Sequence, residues 1–228
     1  MYLKSLFTLV TGLLFAGAVA AQTPPIVSPV VPPPAVPENI WNLDLSTGGR
    51  VSIQLRPDIA PNHVERIKTL TRQGFYNGHV FHRVIEGFMA QTGDPTGTGT
   101  GGSQLPDLAA EFNILPHVRG TVSAARADEE NSANSQFFIL FGPRLSLDHH
   151  YTPFGRVISG MNFVDLIERG EPPASPSRIV RASLGSDNVP PMSTAEIAAA
   201  NAVQAPVAPT VPDLQIAAPE RAEAAPPR

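Results

Sequence analysis

Phe81–Asp94, which reads FHRVIEGFMAQTGD, is the stretch of sequence that decides the fold. Two short apolar runs flank Glu86-Gly87, and runs of this length around a glycine turn predict a β-hairpin. Arg83 on the first strand would then face Phe88 and Met89 just past the turn. From spacing alone, an ordinary hairpin with one surface arginine explains this pattern without any function.

Strand alternation within the hairpin assigns its side chains to two faces. The period of two residues places Phe81, Arg83 and Ile85 on one face and His82 and Val84 on the other. Residues 80–85 and 88–92 are the predicted strands, and residues 93–102 form a loop of glycine and threonine.

Outside this hairpin the chain continues as short strands with few helices. Alternating residues on both sides of Thr47-Gly48-Gly49 predict another hairpin. Helical spacing predicts one helix from Pro61 to Gly74 and a second from Met161 to Gly170. The remaining predicted strands are Thr121–Ala125, Gln136–Phe141, Phe154–Ile158 and Ile179–Leu184. The pattern is that of a mainly β protein with a closed or sandwiched antiparallel sheet.

The distribution of proline divides the chain of 228 residues. Of its 25 prolines, seven fall within residues 24–37 and eight within residues 190–227, which leaves ten for residues 38–186. We therefore predict one domain over residues 38–186. Residues 22–37 are expected to be an extended Pro-rich linker, with a ligand for a proline-binding domain as the alternative. Residues 187–228 are expected to be a disordered tail that contains a short helix at 195–202.

The N-terminus has the features of a secretory signal peptide. Lys4 precedes the apolar run Leu6–Val19, and the small residues Ala18-Val19-Ala20 complete the pattern of a cleavage site. We predict a signal peptide over residues 1–21, with an uncleaved anchor as the alternative. The protein is then expected to be exported, most simply to a periplasm, without stable membrane insertion after cleavage.

Composition excludes several classes of protein. The chain has no cysteine, so disulfide scaffolds, thiolate catalysis and Cys-ligated zinc or iron–sulfur sites are excluded. The formal charge of −4 and the absence of a long basic run argue against a nucleic-acid partner. We expect a monomer that binds neither nucleic acid nor a metal ion.

Together with later motifs, the stretch Phe81–Asp94 resembles the signature of the cyclophilin-type peptidyl-prolyl cis–trans isomerases. The resemblance extends in order over nearly all of residues 38–186, and residues 124–136 are similar to the bacterial branch of the family. With the signal peptide, this indicates an exported bacterial member. The later motifs are Thr96 with Gly99–Gly102, Gly120–Arg126, Asn134–Ile139, Leu147-Asp148 and Phe154–Val157.

The resemblance implies a closed eight-stranded antiparallel barrel capped by two α-helices, with the site on the outer face. Arg83 takes the position of the catalytic residue, and Tyr151 stands where many members have histidine. Ser146 replaces a tryptophan that binds cyclosporin in many eukaryotic members, so weak cyclosporin binding is expected. The implied substrate-binding residues are Phe88, Met89 and Phe138 in the proline pocket with Leu147 at its rim, Gln91 with the backbone at Ala125 and Arg126 at the peptide, and Gln136 as a support for Arg83.

The implied activity is rotation about Xaa–Pro bonds of exported polypeptides, assisting their folding. Unaided rotation takes tens to hundreds of seconds because it breaks amide resonance. A rigid, permanently charged guanidinium can stabilise the twisted amide, and this chemistry needs no metal or cofactor. The alternatives are a non-catalytic chaperone or scaffold that binds peptides on the same barrel, and a function carried by the proline-rich arms.

Three further motifs have simpler explanations than a ligand site. His149-His150 lacks a nearby third metal ligand and is expected to be a solvated turn. Gly97–Gly102 lacks the Gly-Lys-Ser/Thr ending of a phosphate-binding loop, so we interpret it as a loop of the fold. Asp128-Glu129-Glu130 is expected to be a solvated acidic loop, or a bias on substrate charge.

Overall fold

Eight antiparallel strands form one curled sheet in the described part of the chain, which is residues 34–203 of a computed structural model. The strands in spatial order are β3-β4-β6-β5-β7-β2-β1-β8. Their bounds are β1 Ile40–Leu45, β2 Gly49–Leu55, β3 Arg83–Ile85, β4 Met89–Thr92, β5 Thr121–Ala124, β6 Phe137–Leu140, β7 Pro153–Ser159 and β8 Ile179–Leu184. The helices are α1 Pro61–Arg72, α2 Met161–Asp165 and α3 Thr194–Val203, with 3-10 turns at Pro37–Asn39, Leu145–Leu147 and Gly185–Asp187.

The segments predicted at the two ends lie largely outside the described residues. The signal peptide at 1–21, most of the linker at 22–37 and the tail beyond residue 203 are among them. Within residues 34–203, no helix is both long and apolar enough to cross a membrane.

Local sequence explains the first hairpin and the first helix. β2 alternates buried and partly buried residues, as its apolar/polar pattern predicts, and Gly48 supplies the positive φ of 108° that the turn from β1 requires. α1 begins at Pro61, which has no N–H to leave unpaired in the first helical turn. Its buried face contains Val64, Ile67 and Leu70, the three residues predicted from helical spacing.

The expectation of a closed barrel is wrong, because the sheet is open between β3 and β8. No ladder joins these two strands; the irregular residues 78–81 lie beside β8 and form the isolated bridge Val80–Arg178. The predicted strand 80–85 is correspondingly reduced to β3, Arg83–Ile85. Gly78, with φ of 85°, has a left-handed backbone that a regular strand does not adopt.

Two groups of buried apolar residues lie on opposite faces of the sheet. The main core includes Trp41, Tyr76 and Phe137, all fully buried. A smaller cluster contains Met89, Phe138 and Leu140 and lies on the outer face. The assignment of Phe81 to the face of Arg83 is wrong, since Phe81 belongs to the main core. Alternation does not extend to residue 81 because the strand begins only at Arg83.

The helix predicted at 195–202 is present as α3, and it packs on the domain. Ile197 is 2% exposed, and Asn201 Nδ2 donates to the carbonyl oxygen of Ser46. The segment that leads to α3 is also held, because Arg50 and Arg181 both donate to the carbonyl oxygen of Pro190. Ordered structure packed on the domain therefore continues past residue 186 to Val203.

Removing α3 is expected to destabilise the domain. A chain of residues 34–186 should lose about 2–3 kcal/mol of unfolding free energy relative to residues 34–203, because Ile197 is a fully buried side chain. Urea unfolding of the two chains measures this difference. Ile197→Ala in the longer chain should reproduce most of it. Coincident unfolding midpoints for the two chains would restore the boundary at residue 186.

Candidate active site

Strand register places three predicted site residues in one row across the outer face. Arg83 on β3 pairs with Gln91 on β4, and Gln91 pairs with Phe138 on β6. Directly paired residues of antiparallel strands project from the same face of the sheet. The row therefore sets a cation, an amide and an aromatic ring side by side.

An apolar cluster on the same face adjoins this row, and we call it the apolar pocket. Met89 is 1% and Phe138 5% exposed, and the partly buried Phe88, Leu147 and Tyr151 pack around them. The rings of Phe138 and Tyr151 meet edge to face, with centroids 5.8 Å apart. The structure thus brings together the four residues that were predicted to surround a proline ring.

His117 supports this pocket from behind, a role that sequence analysis did not identify. Its ring stacks on Phe138 at 6.4 Å and 25°, Nδ1 lies 2.8 Å from Asp148 Oδ1, and Nε2 lies 3.1 Å from Ser123 Oγ. A Ser–His–Asp set is typical of nucleophilic catalysis, but His117 and Ser123 are fully buried, so a substrate cannot reach the hydroxyl. Burial lowers the pKa of His117, which the bond to Asp148 offsets only in part. The set is structural.

Arg83 is held at two of its three nitrogens. Nε donates to Glu171 Oε2 at 2.8 Å, and Nη1 donates to Gln91 Oε1 at 3.4 Å. Gln91 Nε2 in turn donates to Gln136 Oε1 at 2.9 Å. Gln136 therefore reaches Arg83 only through Gln91. The Arg83 side chain is 43% exposed, and Nη2 has no hydrogen-bond partner within residues 34–203.

The glycine loop 93–102 is organised around the carboxylate of Asp94. Oδ2 accepts hydrogen bonds from the backbone N–H groups of Thr98, Gly99 and Gly101, and Oδ1 accepts one from Thr96. Burial alone would raise the pKa of Asp94, but these hydrogen bonds lower it to about 2. The backbone N–H groups that point into the loop are thus occupied by a carboxylate of the protein itself. This agrees with the interpretation of residues 97–102 as a loop of the fold and not as a phosphate-binding site.

Replacing this carboxylate is expected to destabilise the protein and to flatten its acid dependence. A folded-state pKa of about 2 against an ordinary value of 3.8 corresponds to about 2–3 kcal/mol at neutral pH. Because the folded-state pKa is depressed, that stability is present above about pH 4 and is lost as the pH falls towards 2.

Urea unfolding of Asp94→Asn between pH 2 and 7 measures both effects. The exposed Asp128→Asn removes the same charge without these hydrogen bonds, so it should behave as wild type. Equal stability of Asp94→Asn and wild type at pH 7 would contradict the role of Asp94.

A cavity of about 540 Å³ adjoins the row at Gln91. Gln136, Ala125 and Arg126 also line it. The N–H of Ala125 donates to the carbonyl oxygen of Gln136 at 3.0 Å. The cavity can accept residues of a chain whose proline occupies the apolar pocket.

The side chain of Arg126 joins the acidic loop to the rim of the pocket. Its guanidinium lies 4.8 Å from the centroid of the Tyr151 ring. It also donates to the carbonyl oxygens of Ala127, Asp128 and His150. Only the backbone at this position was predicted to bind the peptide, because an arginine stacked on an aromatic ring leaves no local signal in sequence.

Comparison with known proteins identifies the family of this chain. The family model of the cyclophilin type peptidyl-prolyl cis-trans isomerases matches residues 42–184. The chain belongs to this family. The match covers nearly all of the predicted domain of residues 38–186, from within β1 to the end of β8.

Curated relatives of this cyclophilin have the corresponding activity in their names. A protein of Brucella suis named "Probable peptidyl-prolyl cis-trans isomerase" is 48% identical over 169 residues, which are 67% of this chain and 86% of the relative. A rat protein named "Peptidyl-prolyl cis-trans isomerase-like 3" is 43% identical over 126 residues, 53% of this chain and 77% of the relative. The cyclophilin is accordingly a peptidyl-prolyl cis–trans isomerase.

Solved structures share this fold. The crystal structure of cyclophilin AquaCyp293 from Hirschia baltica has a TM-score of 0.63 and 30% identity, and covers 68% of this chain and 77% of its own. A cyclophilin-type isomerase of Cryptosporidium parvum, crystallised in the presence of the dipeptide Ala-Pro, has a TM-score of 0.60 and 27% identity. That match covers 64% of this chain and 98% of the other.

Other contacts of the site were not predicted from sequence. Glu171 lies 88 positions from Arg83 in sequence, so spacing gives no sign of their ion pair. The guanidinium of Arg144 lies 5.3 Å from the centroid of the Phe88 ring, at the edge of the pocket. Within residues 34–203, no group of three or more His, Cys, Asp or Glu side chains is placed to hold a metal ion.

Proposed function

We propose that this cyclophilin isomerises Xaa–Pro bonds in exported polypeptides and that Arg83 is its catalytic residue. The observation that carries the role of Arg83 is its place in the row, next to the apolar pocket and with Nη2 free of partners within residues 34–203. The signal peptide pattern at residues 1–21 supports export, and a periplasm is the proposed location.

Binding of the substrate fixes one side of the bond that rotates. The proline ring occupies the pocket of Phe88, Met89, Phe138 and Leu147, where burial of its apolar surface is favourable. Gln91 and the backbone at Ala125 and Arg126 hold the peptide along the cavity, with Tyr151 at the rim. The acyl group that precedes proline is then free to turn.

Arg83 lowers the barrier by acting on the twisted amide. Rotation breaks resonance, and the proline nitrogen then gains a lone pair that can accept a hydrogen bond. A guanidinium N–H directed at this nitrogen, or at the prolyl carbonyl oxygen, stabilises the twisted state more than the planar one. Gln91, itself held by Gln136, keeps the guanidinium in place. The reaction makes and breaks no covalent bond, and we propose that it proceeds in a monomer without metal or cofactor.

Two measurements test this proposal. Isomerisation of a short Xaa–Pro peptide, followed by exchange NMR, should give turnover that the Arg83 variants lose. A fusion of residues 1–21 to a reporter that is active only in the periplasm should be exported. Peptide binding without turnover would instead support the non-catalytic chaperone or scaffold, and a reporter retained in the cytoplasm would contradict export.

A further inference from the structure

We propose that Glu171 is a positioning residue for the isomerisation: through its ion pair it fixes the plane in which the guanidinium of Arg83 meets the substrate. This inference rests on the proposed role of Arg83. The pair joins Arg83 Nε to Glu171 Oε2 at 2.8 Å, on the edge of the guanidinium that does not face Gln91. Both side chains remain about half exposed, at 43% and 50%.

The backbone places Glu171 beside Arg83. Gly170 immediately precedes Glu171, and Val84 immediately follows Arg83. The N–H of Val84 donates to the carbonyl oxygen of Gly170 at 2.8 Å, and the N–H of Gly170 donates to the carbonyl oxygen of Val84 at 2.9 Å. Gly170 has φ of 146°, and a Cβ there would lie 2.5 Å from Pro173 Cα, so only glycine fits. Glu171 is thus placed by a bridge to the strand that carries Arg83.

Arg169 anchors the same segment on its other side. Its guanidinium lies 4.3 Å from the centroid of the Phe141 ring, and Nε donates to Glu86 Oε2 at 2.7 Å. Nη1 donates to the carbonyl oxygen of Asp165, at the end of α2. The segment is therefore attached both to the turn between β3 and β4 and to α2. A carboxylate presented from such a segment has a defined position, as a positioning residue requires.

Two contacts in different directions determine the orientation of a planar group. Glu171 binds Nε and Gln91 binds Nη1, so the plane of the Arg83 guanidinium is set and Nη2 remains for the substrate. A half-exposed ion pair adds little to folding stability, so stability does not explain this one. Orientation does matter for a donor that acts only on the twisted amide, because small misplacements reduce the rate.

The test compares two variants of Glu171 with a matched control in the full chain. Glu171→Ala removes the contact, and Glu171→Gln keeps an acceptor oxygen without the charge. Glu168→Gln removes the same charge from an exposed position three residues away, where the side chain does not contact Arg83. The readouts are kcat and KM on a short Xaa–Pro peptide, by exchange NMR, and the Nε–Hε signal of Arg83 in nitrogen-15 spectra.

Glu171→Ala is expected to lower kcat about 3–10-fold and to leave KM within twofold, since the proline pocket is untouched. Glu171→Gln should fall between alanine and wild type, and Glu168→Gln should match wild type. The Nε–Hε signal of Arg83 should shift and exchange faster with water in Glu171→Ala alone. Unchanged or increased kcat in Glu171→Ala would overturn the inference, as would an equal loss in Glu168→Gln.

A double variant separates this inference from the proposed function. If Glu171 acts through Arg83, Glu171→Ala has no further effect on kcat once Arg83 is alanine. A further loss in that background would overturn the positioning role. Normal activity of Arg83→Ala would refute the proposed function itself. Loss of activity in Arg83→Ala beside normal activity in Glu171→Ala refutes the role of Glu171 alone.

Discussion

Arg83→Ala is expected to reduce kcat/KM on a short Xaa–Pro peptide by about 10²–10³-fold, the effect of losing one preorganised hydrogen-bond donor. Charge on the proline nitrogen develops only when the amide is twisted, so the loss should fall on kcat more than on KM. The thermal melt should change little, because the side chain is 43% exposed and packs in neither apolar cluster.

Arg83→Lys tests whether a positive charge at this position is sufficient for catalysis. An ammonium group retains the positive charge but cannot bind Glu171 and Gln91 along two edges of a plane while it donates to a substrate. Activity should therefore be restored only in part. Near-wild-type kcat/KM in Arg83→Ala, with an intact melt, would contradict a catalytic role for this residue and favour the non-catalytic chaperone.

Phe138→Ala is expected to cost about 3–5 kcal/mol of unfolding free energy and to raise KM strongly. The ring is only 5% exposed, because Met89, Leu140, Tyr151 and His117 surround it. It thus combines a substrate-binding surface with a packing role. Urea unfolding and peptide titration at a temperature where the variant is folded measure the two effects.

Phe137→Ala provides the control in the same strand. Phe137 faces the main core, so its loss should destabilise the protein to a similar extent. Its side chain does not reach the outer face, and KM should stay near the wild-type value where the variant is folded. An unchanged KM in Phe138→Ala, or an equal rise in both variants, would remove Phe138 from the proline pocket.

Local pattern was sufficient to predict most of the elements. Alternation predicted β1 and β2, and helical spacing with Pro61 predicted α1. These signals succeed because each element must bury one face, and the period of its apolar residues records that requirement. The site roles of Arg83, Gln91 and Phe138 came instead from the family resemblance, since β6, which carries Phe138, is remote in sequence from the hairpin of β3 and β4.

The errors arose where backbone geometry overrode pattern. The sequence of residues 80–82 predicts a strand, but these residues do not form one. The sheet is therefore open where a closed barrel was expected, and Phe81 lies in the main core. The ordered domain extends past residue 186 because Ile197 finds a buried position, which an Ala-rich helix does not reveal by itself. Glu171 and His117 act through contacts between segments remote in sequence, for which a single chain gives no periodic signal.

The open sheet has a consequence for an isomerase that binds proline-containing peptides. An exposed edge strand offers unpaired N–H and C=O groups on which an extended polypeptide can form further β-structure. Here Gly170 pairs with Val84 at one edge, and residues 78–81 exchange hydrogen bonds with residues 177–179 at the other. The protein's own loops thus occupy part of each edge. A proline-containing peptide is left the apolar pocket and the cavity beside it, and these loops reduce the edge on which a bound chain could add as a further strand.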